Sequence, residues 1–450
     1  MKENAYDFMG KQNITPLLFK LSIPAMIGMI SNALYNVIDT VFVGHGAGAL
    51  AIGGLTIAFP FQLIIGAFAL MYGVGVASII SRRLGEKKEE EAVRAASNAF
   101  LLTFTTSVLI LFFGNLFLDD ILIFFGATEE ILPYANDYMS IILFGAPFLS
   151  FSMCANNVLR SEGAAKTAMT LMIIGTGVNV ILDPIFIFVF KMGISGAAYA
   201  TIISQFCGAM YGLNYFIKGK SSLKFKVKYF SLKFKYIKEI VLLGLATFIR
   251  QIGTSMMALS VNNMVKIYGG DLAIAAFGMV NRLLTLVLMP IFGMNQGLQP
   301  IIGYNFGAKK IDRVKKVLEV AILITSLIGL VFSLFGLIFP RFLLSIFTSN
   351  QELLDIGVVA LRIIISTMVL LGLQSCGTTY FQALGHSVAA IVLGMSRQFL
   401  LLIPLVIILP SFLGLFGVWI AFPIADLLAS LITFVWLIRD IKKRNINSLN

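Results

Sequence analysis

The chain has 450 residues, 58% of them hydrophobic and only 12% charged, and its mean hydropathy is +0.92. A soluble domain has no interior large enough to hide that much apolar surface, so the chain belongs in lipid. A formal net charge of +12 would suit a nucleic-acid partner, but the Lys and Arg gather in alternate connecting segments. That is the pattern of inner-face loops of a membrane protein, not of a binding patch.

The first fifteen or so residues are polar, and the apolar segment after them is too long for a signal-peptide core, so it reads as a retained helix. Twelve apolar runs are long enough to cross about 30 Å of hydrocarbon. They lie near 16–44, 51–82, 92–117, 134–158, 165–190 and 194–217, then 237–267, 272–305, 314–339, 354–383, 387–409 and 414–438. The first, second, seventh and eighth are long enough to tilt or protrude. Arg82, Arg83, Lys87, Lys88 and Arg94 follow the second span, and Lys309, Lys310, Arg313, Lys315 and Lys316 follow the eighth. Arg439, Lys442, Lys443 and Arg444 follow the last. The opposite connections carry Asp119, Asp120, Glu129 and Glu130. The basic set predicts a multi-pass protein of the cell membrane with both termini cytoplasmic. The expected division is an N-lobe of six spans, 1–217, a basic linker, 218–236, and a C-lobe of six spans, 237–450. The linker alternates Lys with apolar residues at Lys224-Phe225-Lys226-Val227-Lys228. It either lies along the anionic inner leaflet or is a solvated connector.

The two halves repeat. Arg83-Leu84-Gly85-Glu86-Lys87-Lys88 has a counterpart in Asn305-Phe306-Gly307-Ala308-Lys309-Lys310, and the step from Gly85 to Gly307 sets the repeat offset. The same offset pairs Leu50-Ala51-Ile52 with Leu272-Ala273-Ile274, Cys154 with Cys376, and Arg160 with Gln382. Gly196 and Gly417 match with a one-residue slip. Six spans is an even number, so both lobes insert the same way, related by a pseudo-two-fold axis along the membrane normal. Such duplicated bundles bind at the repeat interface.

Ionisable residues inside a span are costly and point to function. Asp39, Asp183 and Thr201 all fall roughly 7–11 Å below the outer surface when counted at 1.5 Å per residue. Asn179 and Asp183 share a helix face, and Tyr35 stands one turn below Asp39. Two carboxylates in low dielectric cannot both stay ionised cheaply, so they take a shared proton or a cation. Oxygen ligands suit a hard ion such as Na⁺, held by Asp39 and Asp183. A static cluster gluing helices is the alternative. Pro184 removes a helix hydrogen bond and frees the Val180 carbonyl, while Pro24 is a candidate hinge in the first span. Passive kinks are the alternative for both.

These residues carry a family resemblance. Tyr35-Asn36-Val37-Ile38-Asp39-Thr40-Val41-Phe42-Val43-Gly44, Asn179-Val180-Ile181-Leu182-Asp183-Pro184, Leu159-Arg160-Ser161-Glu162-Gly163 and Pro300-Ile301-Ile302-Gly303-Tyr304-Asn305-Phe306-Gly307-Ala308 resemble the multidrug and toxic compound extrusion family. The resemblance covers essentially the whole chain and falls on the prokaryotic branch with an aspartate in helix one. It implies an all-α protein of twelve transmembrane helices in two six-helix lobes around a V-shaped cavity. It also implies outward antiport of organic, cationic or amphipathic compounds against H⁺ or Na⁺ by alternating access. By position, Asp39, Asn179, Asp183 and Thr201 match the family's N-lobe cation site, and Tyr35, Tyr138 and Asn156 its drug cavity. Gln251 stands where another branch carries an acidic residue, so a C-lobe cation site of that kind is not expected.

The C-lobe has Arg250, Arg282, Arg397 and Asp426 within its spans. Counted depths place Arg397 level with Asp426, which predicts an ion pair. The arginines act as internal struts or present a surface to carboxylate-bearing substrates. Met172 and Met256, with Met153, Met169, Met257, Met289 and Met294, suit an adaptable cavity wall or simple core filling. Cys154, Cys207 and Cys376 lie in apolar segments, against a disulfide framework. His45 and His386 are too isolated for a metal site. Gly73, Gly75, Gly293 and Gly297 suit close helix packing and are not phosphate loops, so neither ATP nor another cofactor is expected. A monomeric secondary exporter of drug-like molecules, in contact with membrane lipids alone, is the primary expectation. The alternatives are a flippase of a lipid-linked precursor in the same superfamily and a polytopic membrane enzyme. The enzyme lacks a His/Asp or Ser/His constellation. A sugar-type transporter is disfavoured because its usual loop elements are missing after the second span.

Overall fold

The computed structural model describes residues 6–47 and 49–449. Side chains at 36–37, 40, 44–49 and 445–449, His45 among them, lie outside the described residues. Among the described residues the regular structure is helical throughout. The N-lobe comprises α1 (Ile14–Ala47), α2 (Ala49–Gly85), α3 (Glu89–Leu116), the short α4 (Leu118–Phe124), α5 (Leu132–Ser161), α6 (Ala165–Pro184) and α7 (Gly193–Ile217). The C-lobe follows as α8 (Phe234–Gly307), α9 (Ile311–Ile338), α10 (Pro340–Ser345), α11 (Gln351–Ile365), α12 (Met368–Leu384), α13 (Ser387–Met395), α14 (Ile403–Ile408), α15 (Pro410–Leu413) and α16 (Leu415–Leu449).

Nine of the described helical stretches are long and apolar enough to cross a membrane, or ten when α11 and α12, bent by 47°, count as one broken span. A straight helix of α8's 74 residues would be about 110 Å long, more than three times the hydrocarbon thickness, and α8 is in fact two helices. Its backbone breaks at Gly270 (φ 68°, ψ −168°), between the expected seventh and eighth spans. The tenth expected span is not one straight helix, because Ser366 and Thr367 interrupt it between α11 and α12.

Repeat symmetry is visible in the backbone. Lys87 and Lys309, partners in the repeat, both take the left-handed conformation, at φ 60° and 59°. Gly85 and Gly307 pack reciprocally where α2 crosses the end of α8. A Cβ at Gly85 would overlap the Tyr304 carbonyl oxygen, and one at Gly307 that of Arg82. Residues 82 and 304 are themselves repeat partners. Backbone thus meets backbone about the pseudo-two-fold, which only glycine allows.

Core packing explains the shape. One buried cluster joins both lobes, from Leu17, Leu21, Ile79 and Leu84 of the N-lobe to Leu243, Met294, Ile301 and Tyr380 of the C-lobe. It lies at the end carrying the basic loops, hereafter the basic side. Two further clusters are confined to single lobes. One packs Ile65, Leu143 and Ala197 in the N-lobe, and the other Val261, Phe277 and Trp419 in the C-lobe. The lobes are therefore fused on the basic side and separate on the far side, a V open away from the basic loops.

Hydrogen bonds between the lobes follow that division. Ser78 Oγ donates to the Gln382 carbonyl (2.6 Å), Gln299 Nε2 to the Val74 carbonyl (3.2 Å) and Ser22 Oγ to the Met294 carbonyl (3.3 Å). Arg82 pairs with Glu239 at 3.0 Å. The segment before α1 is tied to the C-lobe, with Asn305 Nδ2 donating to Met9 O and Lys310 Nζ to Gly10 O. The linker is largely exposed from Lys224 to Lys235, but its start is anchored to the N-lobe. Ser221 and Leu223 are almost fully buried, and Glu162 accepts from Ser221 Oγ (2.7 Å) and the Ser222 amide (2.8 Å).

Candidate functional site

The intramembrane polar residues of the N-lobe meet where α1, α6 and α7 pack together. Tyr35 and Asp39 are one turn apart on α1, Asn179 and Asp183 one turn apart on α6, and Thr201 completes the set from α7. Asn179 Nδ2 donates to both Asp183 Oδ1 and Thr201 Oγ1, each at 3.2 Å. The Asp39 and Asp183 carboxyl groups adjoin, and the Tyr35 hydroxyl lies beside Thr201 and Asp39. Tyr138 of α5 is buried in the same lobe, its hydroxyl accepting from Gln62 Nε2 at 3.1 Å. The Gln62 link was not foreseen; its signal was a lone amide within an apolar span.

Burial is graded across the site. Asp183 is 0% exposed and Asn179 1%, whereas Asp39 is 9% exposed. Three buried oxygens, Asp39 Oδ1, Asp183 Oδ2 and Asn179 Oδ1, have no hydrogen-bond donor. Buried carbonyl and carboxylate oxygens left without donors are costly, and a bound proton or an oxygen-seeking cation satisfies them. The donor set therefore fits either coupling ion. Pro184 closes α6 and passes into a π turn, Ile185–Val189. Proline has no N–H to return to the Val180 carbonyl, and the widened turn follows at that point. Pro24 is buried inside a continuous α1.

Other expected residues scatter. Asn156 belongs to the buried wall on the basic side and does not line the open V. It is 4% exposed, donates to the Ala168 carbonyl (2.8 Å) and accepts from Arg160. Met172 lies against Gly28 of α1, and Met256 is 46% exposed. Met294 is fully buried in the shared core, which removes it from the cavity wall. Arg397 and Asp426 come together, Nε to Oδ1 at 2.5 Å, and Thr367 Oγ1 donates to Asp426 Oδ2 at 3.0 Å. Arg250 and Arg282 are exposed, and the Arg250 guanidinium sits 5.7 Å from the Phe292 ring centre. Cys154, Cys207 and Cys376 are free thiols. No group of three or more His, Cys, Asp or Glu able to hold a metal occurs among the described residues.

With this geometry in place, the comparisons with known proteins are informative. The sequence matches the MatE family twice, over residues 24–185 and 246–408, and the two matches begin at repeat-related positions. The chain is 27% identical over 442 residues to the multidrug export protein MepA of Staphylococcus aureus (strain MSSA476), covering 98% of this chain and 97% of that one. It superposes on a solved structure described as the outward-facing conformation of a multidrug resistance MATE transporter of the MOP superfamily. The TM-score is 0.93, with 28% identity and coverage of 98% and 99%. A MATE structure in the bent conformation gives a TM-score of 0.94 at 27% identity, covering 100% of both chains.

Proposed function

The chain belongs to the MatE family and is a multi-pass membrane transporter, not an enzyme; from this we propose that it is a secondary-active multidrug exporter driven by H⁺ or Na⁺. The observation that carries the reading is the quartet of Asp39, Asn179, Asp183 and Thr201, set inside one lobe of a V-shaped pair. Organic compounds, cationic or amphipathic, occupy the cleft between the lobes. The basic loops face the cytoplasm with both termini, so the V described here opens outward. Its home is the cell membrane, and the single chain is the working unit. The two six-helix lobes, 1–217 and 237–450, rock about the fused basic side.

Asp39, the more exposed carboxyl, meets the external ion first, and Asp183 shares it. Binding removes negative charge from the cleft wall, which weakens the hold on a cationic substrate and favours its release outward. Thr201 and Asn179 hold the two aspartates in register. No nucleotide takes part.

Counterflow in proteoliposomes, with pH and Na⁺ gradients imposed separately, tests the proposal. Substrate movement against its gradient under one of them is expected. Movement only of lipid-linked precursors, with no drug transported under either gradient, would instead identify a flippase.

A further inference from the structure

The pseudo-symmetry has one conspicuous failure on the basic side. In one half of the interface Ser78 Oγ donates to the Gln382 carbonyl, and Gln382 Nε2 donates to Leu243 O (2.8 Å) and Thr247 Oγ1 (3.1 Å). The site is closed and each of these groups has a partner. The repeat offset turns Ser78 into Pro300 and Gln382 into Arg160. Proline has no donor to close the gap, and the neutral amide is replaced by a cation. A small polar chamber occupies that position, lined from both lobes by Asn157, Arg160, Ser161, Gln296, Gln299 and Pro300.

Arg160 is 8% exposed, and among the described residues no carboxylate lies within ion-pair distance of it. Its one side-chain partner there is Asn156 Oδ1. Glu162, two residues on, turns away to the linker. Other donors in the wall are committed elsewhere: Asn157 to Met153 O, Ser161 to Val158 O and Gln299 to Val74 O. Gln296 Oε1 is buried without a partner, and turning that amide about its last bond offers N–H to the chamber instead.

A buried guanidinium without a counter-charge is strongly unfavourable, here at the basic-side end of α5. Water would satisfy its hydrogens but not its charge. We propose that the chamber binds one chloride-sized anion against Arg160, and that this ion helps hold the lobes together on the basic side. The space is about that of one water-sized particle, far too small for phosphate or an organic carboxylate, and a chloride ion enters with small shifts of the lining side chains. Because both lobes line the chamber, opening the basic side would release the ion. Chloride therefore favours the form open on the far side.

The test is thermal stability of the purified protein in detergent, titrated with NaCl against sodium gluconate at constant ionic strength and constant Na⁺. The expected result is a chloride-specific gain that grows with the logarithm of chloride concentration. Near the dissociation constant and above it, each tenfold rise in chloride adds roughly 2 °C to Tm. Arg160→Gln, which installs the residue found at the repeat-related position, should show no difference between the two salts. Equal wild-type stability in both salts, or a chloride gain that persists in Arg160→Gln, would overturn the proposal. Should Arg160→Gln fail to fold, crystals of the wild type in bromide decide the matter. An anomalous peak beside Arg160 supports the site, and its absence there rejects it.

Discussion

The two lobes share a backbone and differ in chemistry, and the difference locates the function. At the repeat offset, Asp39 corresponds to Val261, Asn179 to Leu401 and Asp183 to Leu405. With the one-residue slip late in the repeat, Thr201 falls on Phe422. Val261 and Phe422 are buried in the C-lobe's own core, with Leu401 and Leu405 packed against it. The place that holds four polar groups in one lobe is hydrocarbon in the other. Conversely, Arg397 and Asp426 of the C-lobe correspond to Gly175 and, with the slip, Gln205. A duplicated scaffold has been made asymmetric, with a buried polar quartet in one lobe, which we propose exchanges an ion, and an internal ion pair in the other. Where α2 crosses the end of α8 on the basic side the lobes have stayed alike, as Gly85 and Gly307 illustrate, although the Arg160 chamber nearby breaks the symmetry.

The largest expected effect separates the lobes by transport. Asp39→Asn and Asp183→Asn should each abolish gradient-driven efflux in proteoliposomes while the protein still inserts and folds. Leu405→Val, at the repeat-related position, should leave efflux near the wild-type rate. Full coupled transport by a well-expressed Asp39→Asn protein would remove the N-lobe assignment.

The C-lobe pair should behave as structure, not as a site. Asp426 is almost sealed and Arg397 only slightly exposed. Removing one partner strands a buried charge, so Arg397→Met or Asp426→Leu should each lose about 3–5 kcal/mol in detergent. The double variant should recover much of that. Simple additivity in this cycle would mean that the two side chains are not coupled.

Where the lobes are alike, equal losses are expected. Gly85→Ala and Gly307→Ala each push a methyl group into a facing carbonyl, and each should cost about 1–3 kcal/mol. A large loss at one and none at the other, by chemical denaturation, would show that the interface is not two-fold.

The smallest effect concerns Glu162, whose repeat partner is the buried Leu384. Burial raises the Glu162 carboxyl from 4.5 to about 7, against the hydrogen bonds it accepts from Ser221 and Ser222. The unfolded chain loses this proton at lower pH than the folded one. Folding is therefore penalised progressively as pH rises from 4.5 to about 7, and fully above that. Glu162→Gln should flatten this part of the Tm–pH curve and raise Tm above pH 7. An unchanged slope would show that the linker anchor does not titrate there.

Most of the architecture was legible in the sequence because lipid imposes length and apolarity on each span, and because duplication prints the same turn twice, at Lys87 and Lys309. The Asp39 quartet was legible for the same reason, since depth follows from counting residues along a helix. Three things were not. The break between α11 and α12 falls at Ser366-Thr367, which interrupts hydropathy too little to stand out. Asn156 was matched to cavity lining by its place in the family motif, which does not say which wall is sealed. The Arg160 chamber depends on Pro300 from the other lobe, a contact that only the folded interface creates.

The central claim, one exchangeable ion held by the N-lobe and none by its counterpart, is tested most directly by ion release. Purified protein in weakly buffered detergent is mixed with substrate, and the ions set free per chain are counted with pH- and Na⁺-sensitive dyes. About one ion per wild-type chain is predicted, because two adjoining buried carboxylates share a single positive charge, and none from the Asp39→Asn, Asp183→Asn double variant. Undiminished release from that double variant would place the ion outside the N-lobe quartet and contradict the account.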